Sequence, residues 1–62
     1  MILNIRFFDR APQQIQSVRL STIYPRGDGG MKPELVIHFE DTSKPSNWFQ
    51  LKNIQSISIT ND

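Results

Sequence analysis

The chain contains no cysteine. No disulfide can staple it, and no thiolate can hold a zinc ion. His38 is the single histidine, whereas a structural zinc site takes four Cys or His ligands, so neither metal stapling nor any other cofactor is expected. Long apolar runs are missing too. The longest is three residues, as at Met1 to Leu3, too short for a secretory signal or a membrane span, so no membrane partner is expected. There is no block of like charge either. Seven Lys and Arg stand against six Asp and Glu, the signs are mixed along the chain, and the net charge is +1. That pattern lacks both the basic run of a nucleic-acid tail and an acidic block. A chain without cysteine suits a reducing compartment, and cytoplasmic residence is the expectation.

Catalytic motifs are equally scarce. Ser17, Ser21, Ser43, Ser46, Ser56 and Ser58 offer hydroxyls, but none sits in a recognisable nucleophile context. Gly27, Gly29 and Gly30 lack the Gly-Lys-Ser and the following helix that a phosphate-binding loop needs. Arg26-Gly27-Asp28 spells an adhesion tripeptide, yet three glycines and two prolines between Pro25 and Pro33 read first as a loop. His38 is the one candidate general base, with Glu40 as its same-face neighbour. Such a pair is more often two polar residues on a wet face. No enzyme activity and no small-molecule substrate are expected.

At 62 residues the chain reads as one small domain spanning 1–62. A domain of that size buries only about 60% of its unfolded surface. Tight packing or self-association is the usual remedy for so small a core.

What the chain does have is alternation. Asn47 to Thr60 carries the only tryptophan and the clearest two-residue period. It reads as two strands joined by a tight turn: Phe49 and Leu51 face inward on the first, Ile57 and Ile59 on the second, with Ile54 in the turn. Residues 2–8 read as a strand with Leu3, Ile5 and Phe7 on one face, ended by Asp9-Arg10-Ala11-Pro12. Residues 34–41 read as another, with Leu35, Ile37 and Phe39 inward and Val36, His38 and Glu40 outward. Residues 13–24 are ambiguous. Pro12 could open a helix and Ile15, Val18 and Thr22 have helical spacing. The content of Ser, Thr, Val, Ile and Tyr favours a strand, with Val18 and Leu20 inward.

The expected fold is therefore all-β: a small five-stranded antiparallel curled sheet or barrel, with strands near 2–8, 15–24, 34–41, 47–51 and 56–60. The alternative is α+β, a four-stranded sheet covered by one helix at about 13–23. A flat sheet would leave its apolar face in water, so it must curl, pack on a second copy, or be covered. Trp48-Phe49-Gln50-Leu51 followed by Ile54 to Ile59, a strand, a one-turn corner and a closing strand, resembles the architecture of small SH3-like or Sm-like barrels. The likeness spans about a quarter of the chain. The acidic and aromatic run that SH3 domains use, and the Arg-Gly pair of Sm proteins, are absent, so it implies a framework and no functional residue.

The outward positions carry the functional expectation. Phe8, Tyr24 and Trp48 fall outside the core parity, His38 lies beside Val36 on the outer side, and Arg6 and Arg19 share that side by parity. Aromatics with arginine are enriched at binding interfaces. The expected function is a non-enzymatic interaction module that binds a protein partner or a second copy of itself through Phe8, Tyr24, Trp48, His38, Arg6 and Arg19. So short a chain suits an accessory or inhibitor role of the kind phages and mobile elements encode. The alternative is a small-barrel protein that binds single-stranded nucleic acid, stacking bases on the same aromatics and holding phosphates with Arg6, Arg19 and Lys52. A pI near 8.2 sits below the value above 9 usual for such domains. The plainer reading leaves Trp48 capping the end of the core, with Phe8 folded back onto it.

Overall fold

The computed structural model describes residues 1–61. Six strands follow in order: β1 (Ile2–Phe7), β2 (Gln13–Ile15), β3 (Val18–Tyr24), β4 (Glu34–Phe39), β5 (Asn47–Gln50) and β6 (Ile54–Thr60). They form two antiparallel three-stranded sheets, β2–β1–β6 and β3–β4–β5. The fold is all-β, as the alternation implies. It has six strands rather than five, in two separate sheets rather than a closed barrel. The helix considered for 13–23 does not form. Gln13–Ile15 pairs with β1, and Val18–Tyr24 pairs with β4.

The expected single strand over 15–24 is broken because the chain changes sheets within it. Ser17 adopts φ 58°, the sole positive φ of a non-glycine residue among those described. That turn carries the chain from the β1 sheet to the β4 sheet. It is tied on both sides: the Val18 amide donates to the Met1 carbonyl at 3.0 Å, and the Glu40 amide donates to the Ser17 carbonyl at 2.9 Å. A second corner, a 3₁₀ turn at Leu51–Asn53, returns the chain from β5 to β6. There the Leu51 amide donates to the Pro33 carbonyl at 3.0 Å and the Phe8 amide to the Asn53 carbonyl at 2.8 Å.

The core lies between the sheets and belongs mainly to their central strands. β1 contributes Leu3, Ile5 and Phe7, and β4 contributes Leu35, Ile37 and Phe39; Val18 and Phe49 complete the buried cluster. A central strand is flanked on both sides, so its inward residues are covered. An edge strand is flanked on one. Accordingly Ile57 and Ile59 share a face with buried Ile5 and Leu3 yet are 39% and 58% exposed. Their expected burial fails for that reason. Ile54, expected in a turn, opens β6 opposite Phe7 and packs partly against the core together with Leu51.

Leu20 departs for a different reason. Val18 pairs with Phe39 and Leu20 with His38, so β3 advances two residues while β4 advances one. The extra residue, Arg19, makes a β-bulge. A one-residue slip turns every later side chain to the other face. Leu20, Thr22 and Tyr24 therefore share the outer face with His38, Val36 and Glu34.

Two substitutions test this frame. Phe49 is 9% exposed and its strand neighbour Trp48 is 54% exposed, as opposite faces of one strand require. Phe49→Ala is expected to cost about 3–5 kcal/mol, a large share of the roughly 5–15 kcal/mol by which proteins are stable. Trp48→Ala is expected to cost well under that, and thermal melts of the pair check the ordering. At the first corner, Ser17→Gly is expected to be near neutral, because relief of a left-handed conformation offsets the extra freedom of the unfolded chain. Ser17→Val forces a β-branched residue into that conformation and is expected to cost about 1–3 kcal/mol; urea midpoints of the two variants give the comparison.

Candidate functional groove

The two outer faces differ in chemistry. On the β2–β1–β6 sheet the exposed side is polar. Gln14 Nε2 donates to Asn4 Oδ1 at 3.2 Å, and Asn4 Nδ2 donates to Thr60 Oγ1 at 3.0 Å, a row of side chains crossing all three strands. Arg6 lies on this side, in a shallow trough with Gln13, Gln14, Ser56 and Ser58.

On the β3–β4–β5 sheet the outer face forms a groove of about 670 Å³ lined by Tyr24, Arg26, Glu34, Val36, His38, Ser46 and Trp48. Strand geometry explains the arrangement. Glu34, Val36 and His38 are alternate residues of β4 and make the floor, spaced about 7 Å apart. Tyr24 pairs with Glu34 on one side, and Trp48 pairs with Val36 on the other. Each aromatic thus rises on a flanking strand. Val36 is only 8% exposed although it points away from the core. An apolar side chain covered on the outer side of a sheet marks a surface built with depth rather than a flat solvated face.

Each end of the groove carries a polar pair. At one, Arg26 Nε meets Glu34 Oε1 at 3.1 Å while the guanidinium lies 5.8 Å from the Tyr24 ring centroid. At the other, Ser46 Oγ lies 3.0 Å from His38 Nδ1. Glu40, expected beside His38, instead has Oε1 3.8 Å from the Met1 amine. A serine–histidine pair becomes a nucleophile only with a third group that orients the ring and donors for the developing oxyanion. Among the described residues no carboxylate bonds the His38 ring, and Ser46 is an exposed loop residue. The pair ties the imidazole to the loop at the groove end. No group of three or more His, Asp or Glu placed to hold a metal occurs among the described residues, and no helix is long and apolar enough to cross a membrane.

Of the six residues expected to bind a partner, the groove gathers three: Tyr24, His38 and Trp48. Arg6 belongs to the opposite sheet. Arg19 is the exposed bulge residue and does not line the groove. Phe8, also exposed, follows β1 and is tied through its backbone to Asn53 at the second corner. Lys52 borders a separate recess of about 410 Å³ with Met31, Lys32, Pro33, Gln50 and Leu51. Glu34, Arg26 and Ser46 are groove residues the alternation does not single out. The shared parity of Glu34 with Val36 and His38 is a signal for the first. Arg26 and Ser46 lie in connecting segments, where no period operates.

Comparison with protein-family models, with curated proteins and with solved structures finds no match to this chain.

Proposed function

We propose that the chain is a non-enzymatic interaction module whose outer β3–β4–β5 groove binds an extended segment of a partner protein. The observation that supports this best is the placement of Tyr24 and Trp48 on opposite walls over a covered Val36 floor. Aromatic side chains bring large contact area at low entropic cost, and buried anchors of this type dominate interface energies. Polar pairs at both ends supply the rim that orients an occupant. The groove runs along β4, so its repeat of about 7 Å matches alternate side chains of another extended chain. Thr22 Oγ1, in the same row as Val36 and Trp48, is buried without a hydrogen-bond partner, and an occupant that reached it would remove an unfavourable orphan. The framework in this reading is a half-open relative of the SH3-like and Sm-like barrels, supported by the corner at Ser17 and the 3₁₀ turn ahead of the last strand.

Charge argues for protein over nucleic acid. The one arginine in the groove is already paired with Glu34, and Arg6, Arg19 and Lys52 lie outside it. A strand of phosphates would find no track of free cations there.

The test uses Trp48 as its own reporter, since it is the only tryptophan. Peptides selected from a random displayed library on the wild-type chain are titrated into it. The expected result is a change in Trp48 emission, with amide shifts confined to Tyr24, Val36, His38 and Trp48. Trp48→Ala is expected to weaken binding by about 30-fold, the equivalent of roughly 2 kcal/mol, while the melting transition stays cooperative. Selected peptides that bind Trp48→Ala as well as wild type overturn the reading. So does tight, steeply salt-dependent binding of single-stranded oligonucleotides with no peptide selected.

A further inference from the structure

Four strands form the open edges of the two sheets: β2, β6, β3 and β5. Exposed edges template pairing with another chain, and proteins blunt them with shortness, charge, proline or bulges. Three of the four are blunted. β2 has three residues and β5 four. β3 carries Arg19 in its bulge. β6 is different: seven residues, Ile54–Thr60, with no charge, no proline and no glycine. Its register irregularity lies between Ile54 and Ser56, which leaves Ser56 to Thr60 regular. Ile57 and Ile59 overhang on its inner side, 39% and 58% exposed, beside fully covered Ile5 and Leu3.

The sequence of this edge is complementary to itself. Ser56-Ile57-Ser58-Ile59-Thr60 has near mirror symmetry about Ser58. Laid antiparallel on a second copy with Ser58 opposite Ser58, it places Ile57 against Ile59 and Ser56 against Thr60. The pattern puts apolar against apolar on the inner face and hydroxyl against hydroxyl on the outer. A two-fold contact must match one surface to itself in this way. A net charge of +1 brings little self-repulsion.

We propose that β6 is a homodimer edge: two copies join β6 to β6 antiparallel about Ser58, making one six-stranded sheet of order β2–β1–β6–β6–β1–β2. The four overhanging isoleucines then cover one another across the seam. The groove on the β3–β4–β5 sheet stays open in each copy, so this contact and the partner groove are independent.

The absence of cysteine allows a direct test. Directly opposed residues in an antiparallel pair have Cα atoms about 4.5–5.5 Å apart, within disulfide range. Ser58→Cys is expected to form a covalent dimer under mild oxidation, at least tenfold faster than Thr42→Cys, an exposed loop control. In light scattering the wild type is expected to move with concentration from the 7.2 kDa of one chain to twice that mass. Ile59→Lys, at an already exposed position, is expected to remain monomeric with an unchanged circular dichroism spectrum. A wild-type chain that stays monomeric at millimolar concentration overturns the proposal. Equal oxidation rates for the two cysteine variants, or rings and filaments in place of a closed dimer, overturn it as well.

Discussion

The ring of Phe7 on β1 lies 5.0 Å from the ring of Phe49 on β5, tilted by 57°. This contact joins the two sheets, β1 belonging to one and β5 to the other. Tilted aromatic pairs at such spacing contribute about 0.5–1.5 kcal/mol beyond the area they bury. The Arg10 guanidinium covers the pair, 4.9 Å from the Phe7 centroid and 5.7 Å from that of Phe49. Asp9 holds it there through two hydrogen bonds of 3.2 and 3.0 Å. The same hydrogen bonds keep the Asp9 carboxyl below its ordinary range. Lys44 sits in the same manner 4.2 Å from the Phe39 ring. A core too small to surround its aromatics with apolar groups is closed by the stems and charges of long cations. The rest follows from that scarcity. Eight side chains are enough to cover two central strands and no more, so each edge strand is left with an inward side that is partly wet.

How much of this was legible depends on what a two-residue period can report. β1, β4 and β5 carry no inserted residue of their own, so their inward set is readable: Leu3, Ile5, Phe7, Leu35, Ile37, Phe39 and Phe49 are all buried. The period fails where one residue is inserted. Nothing in Ser17-Val18-Arg19-Leu20 announces the bulge at Arg19, because it depends on how β3 meets a strand about twenty residues on. It fails again on β6, whose alternation is as clean as any in the chain. Periodicity gives the side a residue faces, whereas burial also requires something on that side to cover it.

The groove shows the same limits. His38 and Trp48 stand outside the core parity of their strands, and both line the outer face of one sheet. Tyr24 is expected on the outer side, yet an uninterrupted period would carry it inward with Val18 and Leu20; it faces out because the bulge reverses the register between them. Arg6 has an equally good outward parity, but on β1, and parity is silent about which sheet a strand joins. That assignment is made at the corner of Ser17, by a left-handed residue that composition gives no reason to expect outside glycine, asparagine or aspartate.

The corners also explain how one short chain presents two unlike surfaces. Residues of the aromatic face (Tyr24, Val36, His38, Trp48) form one block in the sequence, with polar-face residues before it (Asn4, Arg6, Gln14) and after it (Ser56, Ser58, Thr60). Were the strands laid in one flat sheet in chain order, both sets would share a single outer side, the aromatic patch bordered by polar residues. Ser17 sends the chain onto the second sheet before Tyr24, and the 3₁₀ turn at Leu51–Asn53 brings it back after Trp48. Everything between the corners faces one way out and everything beyond them the other. The polar row is hydrogen-bonded within itself, Gln14 to Asn4 to Thr60, and so needs nothing from a partner. On the aromatic side Thr22 Oγ1 lacks a partner and two rings stand over a covered valine. The surface that leaves its own groups unsatisfied is the one on which an occupant gains most by binding.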